Sequence, residues 1–90
     1  MNLASRLENL AYHYAEHGSY AEAKPFFLEA LEIRRTTLGE NHPEVAQTLL
    51  DLAKLHRAMG ESDAAEPLLR QVIEIQRTAL ERHTQATRTA

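Results

Sequence analysis

Ninety residues, 43% of them hydrophobic and 26% charged, suffice for one cored domain, are too few for two, and are too apolar for a disordered chain. A formal charge of −3, with lysines and arginines dispersed among the acids, leaves no basic patch for nucleic acid. The lack of cysteine excludes disulfides, thiolate metal sites and a cysteine nucleophile, and no apolar run approaches the roughly twenty residues of a membrane span.

The chain opens without a charged-then-apolar leader, and a soluble, cytoplasmic protein is expected. Glycine and proline occur three times each against an excess of Ala, Leu, Glu and Arg, which predicts an almost wholly helical chain.

In chain order, Leu7, Leu10, Ala11 and Tyr14 follow the i, i+3, i+4, i+7 spacing of a single helical stripe. Gly18 ends that helix, because glycine enters the left-handed conformation beyond a helix C-terminus at little cost. Ser19 with Glu22 forms a predicted capping box, opening a second helix over Tyr20–Thr37 with its stripe on Ala23, Phe27, Ala30, Leu31 and Ile33. Pro25 lies inside this helix and predicts a bend near its start.

Gly39 is the next stop, Asn41 or His42 the next cap, and Pro43 suits the first turn of a third helix from Glu44 to about Met59. Its stripe is Leu49, Leu52, Ala53 and His56. Gly60 breaks the chain again, Glu61 or Ser62 caps, and a fourth helix spans Ser62–Glu81 with Pro67 inside it and Ala65, Leu69, Val72, Ile73 and Ile75 on its stripe. Residues 82–90 carry no apolar periodicity and are expected to fray.

The second pair of helices repeats the first. A shift of 42 residues matches twelve of the thirty-five positions between 4–38 and 46–80, including the paired breakers Gly18/Gly60 and Pro25/Pro67. The expected architecture is all-α: two helix-turn-helix repeats, about 3–38 and 44–81, in one short right-handed solenoid of four helices.

Leu49-Leu-Asp-Leu-Ala53, Gly60, Ala64-Ala-Glu-Pro-Leu-Leu69, Glu74-Ile75 and especially Leu38-Gly-Glu-Asn-His-Pro-Glu-Val-Ala46 resemble tetratricopeptide repeats, in particular the 42-residue repeats of kinesin light chains. The resemblance implies a protein- or peptide-binding module, not an enzyme, whose concave groove is lined by the first helix of each repeat. The positions it carries over are Ser5, Glu8, Asn9, Tyr12, Ala15 and Glu16 in the first repeat. Those of the second are Gln47, Leu50, Asp51, Lys54, Arg57 and Ala58.

Asn9 stands where the family has a peptide-binding asparagine, and its counterpart Asp51 keeps only the acceptor. The basic clamp for an acidic C-terminus is replaced by Glu8, Asn9 and Tyr12, so such a tail is not the expected ligand. Glu8 and Glu16 against Lys54 and Arg57 predict a groove acidic on one unit and basic on the other.

No nucleophile elbow or phosphate loop accompanies any histidine, and the carboxylate pair Glu8 and Glu16 reads as a solvated face rather than an acid–base couple. His13 and His17 have the four-residue spacing of two metal ligands, but two imidazoles make a weak site; they are expected to be surface histidines, with no metal or other cofactor. His42 reads as a linker cap and His56 as a hydrogen-bonded core histidine. Phe27 and Leu69 are expected inside, with Phe26 and Leu68 on the face between repeats.

Two repeats are fewer than a solenoid normally needs. Arg6, His13 and His17 of the first repeat correspond to Thr48, Leu55 and Met59 of the second; one of these faces must pack inside the chain while the other ends the stack. The sequence therefore predicts either a fragment of a longer array, since Met1–Ala4 align with Pro43–Ala46, or a homodimer. Leu55 and Met59 are the residues assigned to self-association.

Overall fold

The structure is a computed structural model that describes residues 2–89, with side chains through Arg82. Four helices follow one another: α1 Leu3–Glu16, α2 Tyr20–Leu38, α3 Pro43–Ala58 and α4 Ser62–Thr89. The α1/α2 and α3/α4 hairpins pack together through α2 and α3. The helical-repeat architecture expected from the period is what forms.

The breakers act as their chemistry dictates. Gly18, Gly39 and Gly60 all take positive φ, at 79°, 96° and 78°, where a side chain would be strained. Asn2 caps α1 by accepting the Ser5 N–H at 2.8 Å, and His42 caps α3 through Nδ1, which accepts the Glu44 N–H at 3.1 Å. Pro25 and Pro67 lie inside α2 and α4, which continue through them.

One local expectation is corrected. Ser19 is the cap residue of α2, but its side chain makes no capping hydrogen bond; its carbonyl instead accepts from the backbone of Glu22 and Ala23. α4 continues as helix past Glu81 to Thr89, and Ala90 lies outside the described residues.

The main core joins both repeats, drawing Ala11 from α1, Ala23, Phe27 and Leu31 from α2, Val45, Leu49, Leu52 and Leu55 from α3, and Val72 and Ile75 from α4. Each large aliphatic side chain fully removed from water there contributes about 1.5–3 kcal/mol. A smaller cluster of Ala4, Leu7 and Ala30 closes the far end of the first hairpin.

Equivalent positions are buried unequally. Leu52 is 2% exposed, whereas Leu10, its counterpart one repeat earlier, is 45% exposed. The cause is tertiary: α3 lies against α2, while nothing among the described residues covers the corresponding face of α1. Phe26 is half-buried and packs against the core that joins both repeats, where it stacks on Tyr14 of its own hairpin, with centroids 5.5 Å apart and planes 3° from parallel.

Candidate functional site

The sequence-predicted groove positions on α1 and α3 fall into two groups: residues tied into the protein and residues facing outward. Glu8 and Asp51 are buried and belong to the first group. Glu8 forms an ion pair with Arg34 of α2, a residue buried on the same stripe as Phe27, Ala30 and Leu31. Arg34 Nη1 also donates to Thr48 Oγ1 of α3 at 2.8 Å, and Nη2 reaches Ser5 Oγ at 3.5 Å. Thr48 Oγ1 lies 3.0 Å from the Glu44 carbonyl oxygen and 3.5 Å from Glu8 Oε1.

The Tyr12 hydroxyl donates to Asp51 Oδ2 at 2.5 Å and lies 3.5 Å from Glu8 Oε2. Gln47 Nε2 donates to the other Asp51 oxygen at 3.3 Å. Burial, then the hydrogen bond to Asp51 and its negative charge, push the Tyr12 phenol well above the usual tyrosine range. Tyr12 therefore stays protonated and a donor at physiological pH. One polar network thus bolts α1, α2 and α3 together.

The expected acid–base division of the groove is changed by this network. Glu8 is committed to Arg34 and Asp51 to Tyr12 and Gln47, so the charges left facing outward are Glu16 on α1 and Lys54 and Arg57 on α3. Asn9 is also exposed on α1.

Beside the network, α1, α2 and α3 enclose a cavity of about 190 Å³. Tyr12, Ala15, Tyr20, Phe27, Leu55 and Ala58 give it an apolar wall, and Asp51 and Lys54 stand at its polar edge. Tyr12 meets Phe27 edge-on, with centroids 5.4 Å apart, which fixes the wall between them.

Leu55, assigned from sequence to self-association, is 4% exposed and sits in this intrachain core; Met59 packs against the same cluster. This corrects the assignment, because the α3 face that carries them is the one that packs inside. His56 is buried, as expected, with Nδ1 2.8 Å from Glu61 Oε1, and His13 and His17 are exposed, with His17 Nδ1 donating to the His13 carbonyl at 2.7 Å.

Sequence reasoning passed over Arg34. Its signal was an arginine at the next turn of the Phe27–Leu31 stripe, where an apolar residue belongs unless an acid lies opposite.

The comparisons with known proteins agree with this architecture. The tetratricopeptide repeat family model matches residues 2–78. The chain belongs to the tetratricopeptide repeat family. Such repeats generally mediate protein–protein interaction and act as non-enzymatic scaffolds. The chain is also similar to a nucleotide-binding leucine-rich repeat (NLR)-like protein of Hyaloscypha variabilis, at 40% identity over 43 residues, or 48% of this chain. The matched stretch is only 4% of that relative's length, so this chain spans a small part of a much larger protein. Among the described residues, no helix of this tetratricopeptide chain is long and apolar enough to cross a membrane.

Proposed function

We propose that this tetratricopeptide module binds a segment of another protein across the concave face of α1 and α3, anchored by one apolar side chain in the cavity between Tyr12 and Leu55. The cavity carries the reading: about 190 Å³ of mainly apolar space opens on the face the family resemblance assigns to ligands. An apolar pocket with few polar groups at its edge suits a hydrophobic anchor whose register is set by charge.

Lys54 at that edge and the exposed Arg57 one turn away favour an acidic residue next to the anchor. With Glu8 and Asp51 already bonded within the protein, the positive side of the groove dominates. Catalysis plays no part in this reading.

Peptide display against the purified chain tests it. The expected selection is of sequences with one bulky apolar residue flanked by Asp or Glu. Ala58→Phe, which fills the cavity from an exposed position, should abolish their binding while the helical circular dichroism stays unchanged. Selected peptides without an apolar anchor, or binding that survives the filled cavity, would sink the assignment.

A further inference from the structure

Among the described residues, the repeat relation that places α3 on α2 leaves two faces uncovered, and they correspond to the two halves of that interface. On α2 the face consists of Phe27, Leu31 and Arg34; the same positions of α4 are Leu69, Ile73 and Gln76. Leu31 is 4% exposed, whereas Ile73 is 54% exposed, and Leu80 further along the stripe also faces solvent. On α3 the matching face carries Val45, Thr48 and Leu52, and the same positions of α1 are Leu3, Arg6 and Leu10, all three exposed.

We propose that a second copy of this chain occupies the α4 face with its own α1, repeating the α2–α3 contact between molecules. The occupant follows from continuity with the interface already formed and from the polar pairs the same register creates. Leu3 and Leu10 of the second copy take the places of Val45 and Leu52, opposite Leu69 and Ile73.

Within the chain, Arg34 donates to Thr48 at 2.8 Å. Between copies the donor changes sides: the second copy's Arg6 meets Gln76, whose amide oxygen accepts. Within the chain, Arg35 donates to Gln71 at 2.8 Å across α2 and α4. The equivalent pair between copies is Arg77 with the second copy's Glu29, an ion pair in place of a neutral acceptor.

His13 and His17 replace Leu55 and Met59, so the contact between copies buries less apolar surface than its internal template and is concentration-dependent. It is also heterologous. Joining an α1 face to an α4 face leaves one of each free, so the assembly grows head to tail instead of closing as a two-fold dimer. This inference uses surfaces outside the concave cavity and stands or falls independently of peptide binding there.

Sedimentation or light scattering over a dilution series is the test. The expected mass rises with concentration past twice the 10.2 kDa of one chain. Leu10→Glu blocks the α1 face and Ile73→Glu the α4 face, both from exposed positions, so each variant alone is monomeric with unchanged circular dichroism. Mixed in equal amounts they form a one-to-one dimer, because each retains the face the other lacks.

Leu3→Glu serves as the second blocking variant should Leu10→Glu fail to fold. Arg77→Glu raises the concentration for half-assembly by up to about five-fold, and adding Glu29→Arg to the same chain reverses it. A mass fixed at one chain, a closed dimer that stops at two, or blocked variants that do not pair would each overturn the proposal.

Discussion

Leu10 and Leu52 are the same residue at the same place in the repeat, yet one is largely wet and the other dry. The two hairpins share their breakers and much of their apolar pattern, and they differ in what stands in front of them. α3 has α2 to lean on and places Val45, Leu49 and Leu52 in the common core, whereas among the described residues the outer face of α1, with Leu3, Arg6 and Leu10, stays exposed. A repeat thus supplies half of an interface at each end, and its neighbour decides whether that half is core or surface. The first unit also carries the polar bolt. Glu8, Arg34 and Tyr12 correspond to Leu50, Gln76 and Lys54, which can build no such network among themselves.

The sharpest way to break this comparison is Arg34→Ala. It leaves the Glu8 carboxylate buried without its cation and should cost about 3–5 kcal/mol in urea denaturation. Replacing both ends, Glu8→Leu with Arg34→Met, should recover most of that loss, because a buried ion pair is worth little more than a well-packed apolar pair. If the single and double variants were equally unstable, the network would be doing something other than neutralising Glu8.

Next in size, Leu52→Ala should cost about 2–5 kcal/mol and Leu10→Ala under about 1 kcal/mol in dilute solution, where α1 is uncovered. Equal losses would mean that the two faces are covered alike.

The smallest effect belongs to Tyr12→Phe, which removes the hydrogen bond to Asp51 at a cost of about 1 kcal/mol. Its pH signature has a definite sign. The folded phenol titrates above the unfolded one, so its contribution is complete below the ordinary tyrosine pKa of 10.0 and declines as pH rises beyond it. Ultraviolet titration of the tyrosinates should show a late phase that Tyr12→Phe removes; its persistence would assign the shift to another tyrosine.

Much of the fold was legible because its signals are local. A glycine forced to positive φ, a proline in a first turn and a 3.6-residue stripe act within one or two turns of chain, so helix order and the 42-residue period could be read directly. The errors lie where a residue's state depends on distant ones. Leu55 and Met59 looked like a terminal apolar face, but which of two alternative faces packs inside depends on the direction of stacking. Glu8 and Asp51 looked like groove charges available to a ligand, because their partners Arg34 and Tyr12 lie 26 and 39 residues away along the chain.

Sequence by itself determined four helices and two equivalent hairpins, since backbone propensity and apolar periodicity need no knowledge of neighbours. Tertiary structure alone decided which copy of each repeated residue is core, which groove charges remain outward, and where the apolar cavity opens. Burial and charge pairing are properties of surfaces in contact, and contact between α1, α2 and α3 is made only when the hairpins stack.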